Sequence, residues 1–547
     1  MLSLASGLAT ASNRAETPAL TALVRIDLST PADLRRVAAL DVPVLAYLHS
    51  PGGQAYLLAL ANAPQQKALT DQGLALRMLD PNSQGATYYV LTAFRPGAID
   101  RARARVDILD EDGRQAVARA TPDEAGQLPE LGFELKRLGP DPIDLPLEEI
   151  VPAIPEPITP IPIIQGMIDQ VYTSTVYNYD GELSGAKTAT IGGGSYTILN
   201  RNTNGGAPIQ HATQYVYEHF LADGLTTSYQ QWNTINNPNV IGEQPGHSQA
   251  SRIYLVTAHL DDMPNGPVAP GADDNASGSV GVLVAADILS QYDFDCTLRY
   301  IVFTGEEQGL LGSYAYAASV VGQDIEGVLN LDMISYNTLN SLPGIDLIVR
   351  PGNASDHAIA NLFADVVNAY AINLEPQVVE DSAHDSDHAS FWDYGFSAIL
   401  GIEDFSDFNP NWHTTNDKIG TLDMNYFTWF VKAAVGTLAH MGYLPPPSGH
   451  LAGTVSDAQT SAPIQGATVK AMLSPDQAWA TTSESDGSYD IALYPGVYTV
   501  TAQAPGYMLY STAGISVTAD QTTTLNIALE VTPTLPVYLP ILRKDTP

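Results

Sequence analysis

The chain has 547 residues, too many for one hydrophobic core, so two to four domains are expected. A formal net charge of −36 repels phosphate and excludes a nucleic-acid partner. The single cysteine, Cys296, excludes an intramolecular disulfide and a multi-cysteine metal site, so any zinc must be held by His, Asp and Glu.

In chain order, residues 1–19 open with a mildly apolar, small-residue stretch, Met1 to Ala11, a candidate signal remnant without a basic start. It points to a secreted or cell-surface chain. No run approaches the 18 or so apolar residues of a membrane span. From Leu23 to Asp80 the pattern predicts strand, helix, strand, strand, helix, strand. The helices are Pro31 to Leu40, with Thr30 as N-cap and Pro31 in the first turn, and Pro64 to Gln72. Gln54 to Leu79 matches Gln115 to Leu138, so residues 20–139 read as two tandem α+β modules, neither with a metal-ligand cluster. Residues 140–163 are proline-rich and read as an extended linker. Residues 164–444 form the largest unit. Its strand candidates are Ile253–Thr257, Leu298–Thr304, Gly327–Met333, Ile345–Val349 and Ala398–Ile402. Helical stretches at Ile209–Gly224, Val280–Leu289 and Met424–Met441 lie between and after them. This predicts an α/β fold with a mixed, mostly parallel sheet covered by helices. Residues 449–530 carry short alternating strands with turn signals, a small all-β sandwich, and 531–547 is a tail rich in Pro and Thr.

Five clusters in the large unit carry chemistry. His259-Leu260-Asp261 ends a buried strand, and Gly271-Ala272-Asp273-Asp274-Asn275-Ala276-Ser277-Gly278 follows. Glu306-Glu307 comes after Leu298–Thr304 and leads into Gln308-Gly309-Leu310-Leu311-Gly312-Ser313. Asp332 sits in Leu329-Asn330-Leu331-Asp332-Met333, where an unpaired acid costs several kcal/mol. Ser386-Asp387-His388 precedes a helical run, and His413 lies in Asn411-Trp412-His413-Thr414-Thr415-Asn416-Asp417. An isolated acid at a strand end usually caps a helix or is solvated; most of these clusters share strand ends, where open α/β sheets bind ligands.

Together these motifs resemble the co-catalytic zinc aminopeptidases, family 28 of the metallopeptidases, over roughly Ile164 to Leu444. The resemblance implies a zinc-exopeptidase, phosphorylase/hydrolase-like fold and two Zn²⁺ per chain. His259 and Asp332 would hold one ion, Glu307 and His413 the other, with Asp273 bridging. Glu306 would be the general base, and Asp261 would hydrogen-bond and orient His259. It further implies a cis peptide at Asp273–Asp274. Where some relatives place an intermediate-stabilising tyrosine, this chain has Ala383, with His384 beside it as a candidate oxyanion donor; His388 is read as structural. The implied activity is release of N-terminal residues from peptides with a free N-terminus. A zinc carboxypeptidase or dipeptidase on the same scaffold and a glutaminyl cyclase are the alternatives. Residues 20–139 resemble the prodomains of secreted peptidases, with a binding or spacer module as the alternative. Residues 449–530 resemble a carboxypeptidase regulatory-like domain, whose partner the sequence does not identify.

Overall fold

The computed structural model describes residues 21–50, 54–139, 142–143, 145, 158–234, 237–381, 385–442, 449–474, 477–494, 496–518 and 521–532. They divide into two compact units. One comprises the N-terminal modules and the large α/β region; the other comprises Thr159–Gln170, Asp293–Asp295 and the chain after residue 442.

Each N-terminal module is an antiparallel four-stranded sheet. The first holds β1 (Ala22–Asp27), β2 (Val44–His49), β3 (Ala55–Ala61) and β4 (Ala75–Asp80), in the order β2-β3-β1-β4. The second holds β5 (Tyr88–Ala93), β6 (Asp107–Asp112), β7 (Gln115–Arg119) and β8 (Phe133–Arg137), in the equivalent order β6-β7-β5-β8. Strand alternation gives each sheet two apolar faces. Val24, Ile26, Leu57 and Ala59 pack with Val37 and Leu69 of the first module's helices. Leu23, Leu48, Tyr56 and Leu58 on the opposite face join Tyr88, Val90 and Val117 of the second module. The expected helix from Pro31 spans Pro31–Ala38, and Asp33 accepts a hydrogen bond from the Thr30 backbone N–H at 2.8 Å, which stabilises the first turn.

Beyond a short hairpin of β9 (Ala189–Ile191) and β10 (Gly194–Tyr196) lies the large sheet. It contains β11 (Thr226–Gln230), β12 (Asn239–Gln244), β13 (Gln249–His259), β14 (Cys296–Phe303), β15 (Asp324–Leu331), β16 (Gly344–Val349), β17 (Glu375–Glu380) and β18 (Ala398–Glu403). The order is β11-β12-β14-β13-β15-β18-β16-β17. The central strands β14, β13, β15 and β18 are parallel, so their carboxyl ends share one edge. The helices Gly278–Leu289 and Met424–Met441 cover the sheet and are buried over most of their length. The five predicted strands are all present. The three not foreseen, β11, β12 and β17, lie toward the sheet edges, and β11 and β17 are polar and partly exposed, so a search for apolar runs passes over them.

The second module is joined to the α/β region by direct bonds. The Arg137 backbone N–H donates to the Gly309 carbonyl at 3.0 Å. Gly309 has φ +112°, and a Cβ there would lie 2.7 Å from the Arg137 nitrogen, so the close approach requires glycine. Arg95 Nη2 donates to the Trp412 carbonyl at 3.0 Å. Lys136 forms an ion pair with Asp393, and both side chains are buried. Burial pulls the Lys136 ammonium below its ordinary pKa, and Asp393 opposes this.

The C-terminal unit has two four-stranded sheets among the described residues. One contains β19 (Gly449–Asp457), and the other contains the long strand β23 (Gly496–Gln503). Leu451, Val469, Tyr498 and Ile527 are core residues of this unit. The helix Pro162–Asp169 belongs to this unit, although the sequence pattern places residues 162–163 in a linker and 164–169 in the large domain. Its apolar Ile163, Ile164, Met167 and Ile168 are buried, which explains why the proline-rich pattern ends there.

Lys136→Met should lower the stability of the full chain by about 3–5 kcal/mol, because it strips a buried carboxylate of its counter-charge. Chemical unfolding checks this, and Lys136→Met combined with Asp393→Leu should recover much of the loss.

Candidate metal centre

The predicted functional clusters meet at the shared edge of the parallel strands. His259 is the last residue of β13, Glu306 and Glu307 follow β14, and Asp332 follows β15. His413 lies on the loop after β18, and Asp274 on the loop before helix Gly278–Leu289. All six are buried. His259 Nε2 is 3.3 Å from Asp332 Oδ1 and 3.4 Å from Asp274 Oδ1. His413 Nε2 is 3.0 Å from Glu307 Oε2 and 3.1 Å from Asp274 Oδ2. The two oxygens of Asp274 therefore face different imidazoles, and one carboxylate joins two donor groups. Glu306 Oε2 stands 4.0 Å from His259 Nε2.

Residues 239–436 match the model of Peptidase family M28, and residues 450–530 match that of the carboxypeptidase regulatory-like domain. The stretch 239–436 is an M28 peptidase domain. A probable leucine aminopeptidase of Trichophyton verrucosum is 32% identical over 228 residues, 39% of this chain and 58% of that protein. Leucine aminopeptidase 1 of Ajellomyces capsulatus is 29% identical over 220 residues, 38% of this chain and 56% of that protein. The chain thus spans less than two thirds of these relatives' length. The LapA aminopeptidase of Legionella pneumophila has the same fold, with a TM-score of 0.52 at 17% identity, covering 66% of this chain and 99% of that one.

The M28 domain departs from the expected assignment by one residue. Asp273 was expected to bridge, but its carboxylate is turned away from the imidazoles. Asp273 Oδ1 accepts from the Ser335 backbone N–H at 3.0 Å and from Ser335 Oγ at 2.6 Å, and Oδ2 accepts from Asn409 Nδ2 at 2.9 Å. Asp274 instead stands between the two imidazoles, and the cis peptide lies at Asp274–Asn275 rather than Asp273–Asp274. Adjacent acids of a loop point in different directions, and sequence spacing does not say which one faces inward.

Asp261 also acts differently from expectation. The acceptor for His259 Nδ1 is the Asp261 backbone carbonyl at 3.1 Å; the carboxylate is 3.8 Å away. Asp261 Oδ1 instead accepts from the Glu306 backbone N–H at 3.2 Å and so fixes the strand end that carries Glu306. His388 packs edge-on to Trp392 with ring centroids 4.3 Å apart. Ala383 and His384 lie outside the described residues.

Sequence reasoning missed four residues that shape the site. Arg201 is fully buried; it donates to the carbonyls of Leu183, Leu260, Pro270 and Gly271 and lies 3.4 Å from Asp262. Asp262 in turn accepts two hydrogen bonds from the Arg201 backbone N–H. Asp417 accepts from the backbone N–H groups of Asp273 and Asp274 at 3.0–3.1 Å and sets the loop that aims Asp274. The fourth is Glu134 of β8, whose Oε1 is 3.6 Å from His413 Nε2. The second N-terminal module therefore contributes one member to a donor group, although among the described residues neither module holds a cluster of its own. A motif search of the large unit cannot find a donor more than a hundred residues upstream. Arg201 and Asp417 do sit in polar, motif-adjacent loops, where a buried charge could have been sought.

The donor set fits zinc. His413 Nε2, Asp274 Oδ2 and both Glu307 oxygens are buried and make no hydrogen bond, although His413 Nε2 stands 3.1 Å from Asp274 Oδ2 and 3.0 Å from Glu307 Oε2. Lone pairs that converge without donor hydrogens between them suit a cation. Three such groups have metal-site spacing among the described residues: His259, Asp274 and Asp332; His259, Glu306 and Glu307; and Glu134, Glu307 and His413. Imidazole and carboxylate are ordinary zinc ligands. Burial, and then the charges of Glu134 and Glu307, push the Glu306 carboxyl well above the usual range. Burial opposes protonation of His259 and His413, but the surrounding carboxylates outweigh it and raise both. Without cations the M28 site would have to take up protons.

Asp274→Asn should empty the centre, whereas Asp273→Asn should weaken zinc binding by no more than roughly 10–100-fold, the usual cost of losing a ligand's supporting contact. Zinc per chain at equilibrium with a competing chelator distinguishes the two.

Proposed function

We propose that this chain is a zinc-dependent aminopeptidase that uses two ions. The M28 domain and the aminopeptidase names of its relatives support the hydrolytic class. The observation that carries the two-ion reading is the position of Asp274, with one oxygen toward each imidazole. His259 and Asp332 would hold one zinc, Glu307 and His413 the other, and Asp274 both. Zinc supplies Lewis acidity and lowers the pKa of coordinated water from about 15.7 to about 7.

The remaining work falls to this chain's own residues. Asp332 Oδ2 accepts from Ser386 Oγ at 2.6 Å, and Ser386 accepts from Asn330 Nδ2 at 2.9 Å, so the carboxylate is held in one orientation. The hydrogen bond from His259 Nδ1 to the Asp261 carbonyl leaves Nε2 free as an electron-pair donor. Glu306 Oε1 makes no hydrogen bond. Its uncommitted oxygen, beside the donor groups, suits it to take a proton from water and return it to the leaving amine nitrogen, so that a peptide and one water become an amine and a carboxylic acid. The concentration of carboxylates favours a substrate ammonium, which fits a free N-terminus.

Glu306→Gln should retain two zinc ions and lose at least roughly 10²-fold in kcat, the usual worth of a general base. Rates on leucyl peptides, with zinc measured on the same samples, test this. N-acetylation of the peptide should abolish cleavage; cleavage of blocked peptides from their C-terminus would replace the aminopeptidase reading with a carboxypeptidase one.

A further inference from the structure

Glu134 belongs to a module that folds around its own core, yet its side chain lies at the metal centre. Its neighbours on β8, Phe133 and Leu135, are both buried in that core. Strand alternation therefore turns Glu134 to the opposite face. There its Oε1 reaches to 3.6 Å from His413 Nε2, and its side chain is 13% exposed. The same module supplies the Pro129 carbonyl, 3.3 Å from His413 Nδ1. A backbone acceptor at that nitrogen fixes the tautomer that leaves Nε2 for a metal.

The contacts that seat the module run to the segments that carry site residues. Gly309, bonded to the Arg137 N–H, stands two residues after Glu307. Trp412, whose carbonyl accepts from Arg95, immediately precedes His413. Asp393, paired with Lys136, ends the helix His388–Asp393 that follows Ser386, the partner of Asp332. The docking position of Glu134 is thus fixed relative to the centre from three sides.

The geometry points to Glu134 as a carboxylate plug: it is a fourth protein donor to the cation at Glu307 and His413, and it holds the chain latent until the module moves. This rests on the zinc reading above. Glu134, Glu307 and His413 form one donor group, and Asp274, which the zinc reading gives to both ions and whose Oδ2 is 3.1 Å from His413 Nε2, would bring that cation's protein donors to four. Zinc with four protein ligands is a closed, structural type of site, whereas catalytic zinc keeps one position for water or substrate. The other cation, at His259, Asp274 and Asp332, has three. Glu134 thus closes one cation and leaves the other open. Withdrawal of Glu134 frees a coordination position and opens the face of the site that a peptide must approach.

The test uses the full chain as wild type, Glu134→Gln and Glu134→Ala, with Glu130→Gln as a control, since Glu130 is an exposed acid of the same module. Zinc stoichiometry, zinc affinity by chelator competition, calorimetric binding of leucine hydroxamate and turnover of a leucyl peptide are measured on each. At saturating zinc all four should hold two ions. Both Glu134 variants should bind one of the two ions roughly 10-fold more weakly or worse, having lost a donor. They should nevertheless bind the hydroxamate at least about tenfold more tightly, as expected if the plug is seated in about nine of ten wild-type molecules, and kcat/KM should rise with it. Glu130→Gln should match wild type. Two ions bound, with hydroxamate affinity equal or weaker in both Glu134 variants, would overturn the plug and leave the zinc reading intact. A wild-type chain that binds no zinc would overturn both.

Discussion

The site is governed by like charges held together where water cannot screen them. Asp274, Glu306, Glu307 and Asp332 are each at most 6% exposed, and Glu134 joins them. In such surroundings neighbouring carboxylates repel strongly, and burial together with the charges of Glu134 and Glu307 pushes the Glu306 carboxyl well above its usual range. Two divalent cations would carry four positive charges against the five of Asp274, Glu306, Glu307, Asp332 and Glu134, and would leave a single negative charge. Bound cations would let this many buried acids stay ionised side by side.

The acids are held in place by a framework that lies outside the donor groups. Arg201 ties four carbonyls from three chain segments, at Leu183, Leu260 and Pro270-Gly271, to one guanidinium, which presents its donors in a fixed fork. Asp417 fastens the turn that carries Asp273 and Asp274. Asp273 is anchored to Ser335 and Asn409, so a residue that resembles a ligand in the sequence serves as a support for its neighbour. The ligands can be ordinary side chains on loops because the backbone beneath them has few alternatives.

The N-terminal modules belong to the same construction. The first packs on the second through a shared apolar face, and the second meets the M28 domain through Arg95, Lys136, Arg137 and Glu134. A buried ion pair and a backbone hydrogen bond at Gly309 make this contact specific in register. A displacement of β8 by even one residue would turn Glu134 away from the centre and Leu135 toward it.

Much of this was legible in the order of residues. The apolar runs of β13, β14, β15 and β18, each followed by an imidazole or an acid, define a parallel sheet with chemistry at its carboxyl edge, because burial on both faces requires continuous apolar strands. His259, Glu306, Glu307 and Asp332 stand out as polar residues at the ends of apolar strands, whereas His413 sits in a polar loop, and the roles of all five came from the resemblance of their motifs to the family-28 metallopeptidases. Only the folded chain decided between Asp273 and Asp274, whose identical side chains differ in direction through the backbone of one turn. It also gave the Asp261 carboxylate to the Glu306 backbone, and it brought Glu134 beside His413 from 279 residues away in the sequence. Periodicity records which face a residue occupies within its own element, whereas contact between distant elements depends on how whole surfaces pack.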